Sequence, residues 1–241
     1  RKFSGVVFEG EGTYLMGAYQ FIFPQADPAV LEKIAEYASQ GLRVLTVAHS
    51  PNEMTDYTLA EDFEMLALFT MTDVVRKNAP DILGYFEEQG VDLKVISGDD
   101  PVTVAAIAAR AGLKDADKYI DATTITTPEQ MDEAVAEYSV FGRVTPQQKQ
   151  AMVKSLQAQK HTVAMTGDGV NDVLALKEAD CSIAMAEGSD AAKNIANVVL
   201  LDSNFAAMPE IVNQGRRVVN NIRTAASMFL IKNRFFPCCC H

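Results

Sequence analysis

The chain has 241 residues, enough for a substantial core in one or two domains, with 48% hydrophobic and 22% charged side chains. A formal net charge of -11 argues against nucleic acid as a partner, since that binding needs clustered Lys and Arg; small phosphorylated ligands escorted by Mg²⁺ stay open. Three of the four cysteines form the terminal run Cys238-Cys239-Cys240, so no disulfide framework is implied and a reducing cytoplasmic setting fits; neither a signal peptide nor a run of about 20 apolar residues is found.

Residues 4–16 hold two β-rich runs, Val6-Val7-Phe8 and Tyr14-Leu15, around Glu9-Gly10-Glu11-Gly12, the pattern of a hairpin. Asp27-Pro28 supplies an N-cap and a first-turn proline, and Val30, Leu31, Ile34 and Ala38 share one helical face before Gly41. Residues 42–48 are predicted as a strand. The polar stretch 50–62, with Pro51 and Asn52, predicts a domain boundary. On that division 1–60 is one unit and 61–210 a second, opened by Phe63-Glu64-Met65-Leu66-Ala67-Leu68-Phe69. Residues 211–241 make a terminal helix and tail.

Strand and helix then alternate, which predicts an α/β fold with a parallel, doubly wound sheet. A helix over 80–89 stops at Gly90, a strand covers 91–96, and a helix over 101–111 closes at Gly112. Residues 114–139 show little beyond a helix start at Thr127-Pro128-Glu129. Phe141-Gly142-Arg143-Val144 leads into Thr145-Pro146-Gln147-Gln148-Lys149, where Thr145 caps a helix and Pro146 is its first residue. A cation in that first turn opposes the helix dipole, so Lys149 costs a little there unless it serves an anion.

The chain is organised around Thr166-Gly167-Asp168-Gly169-Val170-Asn171-Asp172, which follows the apolar run 161–165 and precedes the helix-favouring run 173–179. A strand ending in Gly-Asp-Gly that delivers an Asn and a second Asp at a helix start puts three oxygen-bearing side chains around one small volume. Such a volume suits a hard cation, normally Mg²⁺, with a phosphoryl group. The Gly-Asp-Gly tripeptide alone reads as a tight turn, and it is the full string that points to a site. Beyond it come the runs Cys181-Ser182-Ile183-Ala184-Met185 and Val198-Val199-Leu200-Leu201 and a long helical pattern over 208–233. The ending Cys238-Cys239-Cys240-His241 reads as an appended tail, because adjacent ligands do not wrap one ion as spaced pairs do.

The seven-residue string resembles the hinge motif of P-type ATPases, membrane pumps that form an aspartyl-phosphate on a haloacid dehalogenase-like domain. Other segments follow the same family. Gly17-Ala18 matches its Lys-Gly-Ala element with Met16 in the lysine position, and Gly41-Leu42-Arg43-Val44-Leu45 matches its Gly-x-Arg-x-Leu. Asp73 and Arg76 match Asp-Pro-Pro-Arg with Val74 and Val75 in place of the prolines. Ser97-Gly98-Asp99 with Thr103 matches its Thr-Gly-Asp-x-x-x-Thr, and Pro146 with Lys149 its Pro-x-x-Lys.

The resemblance implies a haloacid dehalogenase-like Rossmannoid sheet with a partial α+β nucleotide-binding domain, acting in an ATP-driven cation pump. By it, Asp168 and Asp172 hold Mg²⁺, and Asn171 and Asp172 order the site. Ser97 and Lys149 contact phosphoryl oxygens beside Gly98 and Asp99, while Gly17, Arg43, Asp73 and Arg76 serve ATP. The transported cation would cross through membrane helices of a parent protein that carries this portion on its cytoplasmic side.

The family's nucleophile lies in Asp-Lys-Thr-Gly-Thr, a string not found in these residues. The chain is therefore expected to be a cytosolic fragment, inactive alone, lacking the strand between those ending at Ile96 and Met165. Two other readings stand: a soluble dehalogenase-type phosphatase using Asp73, opposed by Val75 where that superfamily wants a second acid, and a nucleotide-binding module without chemistry.

Overall fold

The structure, a computed structural model, describes residues 3–25, 27–54, 62–72, 74–202 and 204–235. The N-terminal hairpin forms as expected: β1 (Phe3–Phe8) and β2 (Gly12–Gly17) pair antiparallel, and Gly10 and Gly12 take the positive φ that closes the turn. A short helix α1 (Tyr19–Ile22) follows, which no period in the sequence announces. Next comes α2 (Pro28–Ser39), started by Asp27, whose carboxylate accepts from the Ala29 N–H.

Strands β3 (Leu42–Ser50) and β4 (Glu64–Thr72) complete one antiparallel sheet in the order β1-β2-β3-β4. Residues 64–72, expected to open the second unit, are thus the last strand of the first sheet. Their apolar run pairs with β3 from Leu42↔Thr72 to His49↔Glu64 across one bulge, and this carries the sheet past the division expected at residue 60. Leu15, Ile22, Ala48 and Phe63 make its small core.

The remaining elements alternate. They are α3 (Ala79–Glu88), β5 (Val95–Ile96), α4 (Pro101–Arg110), β6 (Tyr119–Asp121), α5 (Pro128–Glu137), β7 (Val140–Gly142) and α6 (Pro146–Ala158). After them come β8 (Ala164–Gly167), α7 (Val173–Glu178), β9 (Cys181–Met185), α8 (Asp190–Ile195), β10 (Val198–Leu200) and α9 (Met208–Phe235). Every strand pair here is parallel, as strands joined through helices must be. The strands form two sheets of three, β5-β7-β6 and β10-β9-β8, rather than one continuous sheet. The strand expected over 91–96 shrinks to Val95–Ile96, because β7 alone pairs with it among the described residues and does so through two positions. The strands β6 and β7 were not expected in detail; each has three residues, too few to show a period.

Helices hold the two sheets together. On α6, Met152 packs with Phe141 and Val135, while its neighbour Val153 packs with Met165 and Leu176. Leu93 touches both the cluster around Val140 and the one around Ile183. No helix of the described residues is long and apolar enough to cross a membrane, and along α9 Val218, Val219, Ile222 and the run 228–231 are exposed. The Cys238-Cys239-Cys240-His241 ending lies outside the described residues.

Phe141 is fully buried at the centre of β5-β7-β6. Phe141→Ala should lower stability by about 3–5 kcal/mol, read as a lower urea midpoint at unchanged slope.

Candidate functional site

The site forms where strands deliver their C-terminal ends, the edge at which open parallel sheets bind ligands. β8 ends at Gly167, a 3-10 turn covers Val170–Asp172, and α7 begins at once. The turn folds Asp172 back under the strand end, where its Oδ2 accepts from the Gly169 N–H at 3.1 Å. Gly167 is what allows this. A Cβ there would lie 2.6 Å from the Asp172 Cβ, closer than real contacts come.

Lys149 arrives on α6, the helix that follows β7 of the other sheet. Thr145 caps α6 with a full capping box to Gln148, fixing the first turn that carries the lysine. Lys149 Nζ donates to Asp172 Oδ1 at 2.6 Å, and the two side chains are only 13% and 10% exposed. The ammonium held against the dipole of its own helix therefore has an anionic partner, supplied by the turn after β8. Gln148 also ties α6 to the turn after β6, donating to the Ala122 carbonyl at 2.7 Å.

Ser97 directly follows β5, with its Oγ 3.3 Å from Asp99 Oδ2, and its carbonyl accepts from the Val144 N–H at 3.0 Å. Asp168 is exposed at the end of β8, its carbonyl bonded to the Ser189 N–H at 2.7 Å. Gly188 makes that approach possible, because a Cβ there would come within 2.7 Å of the Asp168 carbonyl oxygen. Asn171 is exposed on the same turn. Ser97, Lys149, Asp168, Asn171 and Asp172 thus all arise at the C-terminal ends of parallel strands.

Arg43 lies on β3 and bonds Asp99 Oδ2 at 2.5 Å, across to the turn after β5. Gly98, Asp99 and Arg43 line a cleft of about 410 Å³ between the antiparallel sheet and α4, walled on its apolar side by Tyr19, Phe21 and Leu31. That volume lies within the range of ligand pockets. Gly17 is buried in β2 opposite Phe3 and Thr46, and the cleft takes Ala18 instead. Arg76 meets Asn204, at 3.3 Å, and Asp73 lies outside the described residues.

Among the described residues no group of three His, Cys, Asp or Glu side chains is placed to hold a metal ion. Asp172 has both oxygens engaged, by Lys149 and by Gly169, so Asp168 is the carboxylate on this edge open to a cation. Mg²⁺ retains several waters and takes one or two carboxylates with phosphate oxygens, so Asp168 suits a part of that shell.

The sequence reading passed over Arg143, which lines the same cleft and forks between Asp100 and Asp121. Its partners stand 43 and 22 positions away, a separation that leaves no local signal. Burial pushes the Asp121 carboxyl up, but bonds from Thr123 together with Arg143 outweigh it, and the carboxyl ends below its ordinary value.

Residues 6–180 match the haloacid dehalogenase-like hydrolase family, and the chain belongs to it. Over 234 residues it is 46% identical to the probable cation-transporting ATPase exp7 of Streptococcus pneumoniae, an alignment covering 96% of this chain and 29% of that protein. It is 42% identical over 232 residues to the calcium-transporting ATPase CtpE of Mycolicibacterium smegmatis, again covering 96% of this chain and 29% of the relative. To the potassium-transporting ATPase alpha chain 2 of Rattus norvegicus it is 37% identical over 202 residues, 71% of this chain and 20% of that one. The chain spans less than a third of the length of these curated relatives.

Two outcomes test the geometry. Gly167→Ala must displace Asp172 and should cost about 1–3 kcal/mol in thermal unfolding, as overpacking does. Asp121, with its depressed pKa, contributes stability above its ordinary value of 3.8, and that contribution is lost as pH falls through the lower folded value. Urea unfolding should therefore show wild type above Asp121→Asn at pH 7, with the difference shrinking below about pH 4.

Proposed function

We propose that the chain is the cytosolic catalytic portion of a P-type, ATP-driven cation pump, working through an aspartyl-phosphate whose nucleophile comes from a segment outside these 241 residues. The observation that carries the reading is the Lys149–Asp172 pair at the strand-end edge that also bears Ser97 and Asp168. Similarity to cation-transporting ATPases over 96% of the chain supports it. So does the interrupted sheet: β5 and β8 each keep an edge unpaired among the described residues, and a parallel strand between them would end between Ser97 and Asp168.

In this reading the nucleophilic carboxylate attacks the γ-phosphorus of ATP in line. The Asp O–P bond forms as the bond to the ADP oxygen breaks. Lys149 sets a positive charge beside the transferring group, and Asp172 holds that ammonium in place and keeps it from swinging to solvent. The Ser97 hydroxyl takes a phosphoryl oxygen. Mg²⁺, held in part by Asp168, neutralises phosphate charge when bound. Arg43, in the cleft, takes the nucleotide. Beyond this portion the parent protein lies in the membrane, where the helices that carry the cation also select it.

The test is phosphorylation by labelled ATP. The parent protein should form an acid-stable, hydroxylamine-sensitive label that needs Mg²⁺, and Lys149→Ala should slow its formation by about 10²–10³-fold. The 241-residue chain alone should take no label. Labelling of this chain by itself, abolished by Asp73→Asn, would replace the pump reading with a phosphatase that uses Asp73.

A further inference from the structure

Arg143 is the residue directly after β7, and it holds φ at +53°, a left-handed conformation that a side chain of this size rarely adopts. Backbone bonds keep it there: its own N–H donates to the Asp99 carbonyl at 2.7 Å, and the next N–H, of Val144, donates to the Ser97 carbonyl at 3.0 Å. The guanidinium then forks. Nη2 meets Asp100 Oδ2 at 2.7 Å, and Nη1 meets Asp121 Oδ2 at 2.8 Å. Each carboxylate uses its other oxygen as a cap, Asp100 for the Val102 N–H at the start of α4 and Asp121 for the Thr123 N–H.

One side chain therefore joins the turns that follow β5, β6 and β7. Immediately before it, Gly142 lets the chain pass so close to Pro101 that a Cβ would lie 2.4 Å from the Pro101 Cα. Two residues after it, Thr145 starts the helix that carries Lys149. Ser97 and Lys149 belong to different strand-helix units, and Arg143 stands where their relative placement is set.

We infer that Arg143 is a positioning residue for phosphoryl transfer. Through Asp100 and Asp121 it locks the Ser97-Gly98-Asp99 turn against the start of α6, so that Ser97 and Lys149 address one phosphoryl group. The inference rests on the pump reading given above. A planar fork with two carboxylate partners is a geometry that lysine cannot reproduce.

The experiment uses the full-length parent protein and measures single-turnover phosphorylation across ATP concentrations. Arg143→Met should slow labelling at saturating ATP by about 10–100-fold, as displaced catalytic groups do, with half-saturating ATP changed by less than about threefold. Asp121→Asn should slow it in the same sense. The double variant should be no slower than Arg143→Met, because both substitutions break one linkage. If Arg143→Met is not recovered folded, Arg143→Lys, which keeps the charge and loses the fork, should show the same slowing, and the Asp121→Asn result stands independently. Wild-type labelling with an unchanged rate in Arg143→Met, or in Arg143→Lys where that variant substitutes for it, overturns this inference alone. So does a rise in half-saturating ATP that accounts for the whole loss, which would make Arg143 a nucleotide contact, and so does a full rate in Asp121→Asn. Absence of label on the wild-type parent refutes the pump reading and this inference with it.

Discussion

The contact between Lys149 and Asp172 is the point on which the site turns, because it joins groups that two different sheets deliver. A nearly buried pair of this kind is poor evidence for added stability: desolvating both charges offsets most of their attraction, and a well-packed apolar pair does as well. Breaking it is another matter, since an unpaired charge left in the same place costs about 3–5 kcal/mol. Its presence therefore argues for a lysine fixed at the strand ends. The surroundings are arranged to that end. Gly167 makes room for Asp172, the Thr145 capping box fixes the first turn of α6, and Met152 and Val153 anchor that helix in two separate clusters.

Because α6 reaches both sheets, the division between them leaves the site assembled. Each sheet is packed on its own helices, and the helices, not strand pairing, set their relative position. The consequence is two edge strands, β5 and β8, that each offer backbone donors and acceptors along one side among the described residues. Unpaired edges of this sort recruit a strand, whether from the same protein or by misassembly. Both edges end in residues of the site, Ser97 after β5 and Asp168 after β8, so on the proposed reading a strand added there would complete the fold and the chemistry together.

How far the sequence foretold this can be followed residue by residue. Asp27-Pro28, Asp100-Pro101, Thr127-Pro128 and Thr145-Pro146 each start a helix as expected, because an N-cap followed by proline is a local signal with a local cause. Lys149 stood out through its conflict with the helix dipole, and its partner Asp172 lay in the motif already singled out. The segment 64–72, expected to open the second unit, pairs with β3, since an apolar β-rich run states that a strand will form and not which sheet will take it. The strands β6 and β7 escaped because three residues carry no period, and Arg143 because its two carboxylates are remote in the chain. Where the cause was long-range, the sequence was silent.

The charges around the site carry the argument one step further. Lys149, Arg43 and Arg143 are three cations brought to these strand ends, and each already has a carboxylate: Asp172, Asp99, and the pair Asp100 and Asp121. With the exposed Asp168 counted, three cationic side chains stand against five carboxylates, in a chain whose net charge is -11. A polyphosphate entering such a place alone would meet repulsion and would have to compete with aspartates for every cation. Nearby like charges weaken binding unless a counter-ion intervenes, and a bound divalent cation is commonly the largest local charge in such a site. On the proposed reading, the acidic surplus would make entry of phosphate depend on a metal that arrives with it, and Asp168, the one of these five carboxylates with no described cation partner, would be open to that metal. On that reading Lys149 would have the narrower task of answering charge that develops on the transferring group after the ground-state charge has been neutralised.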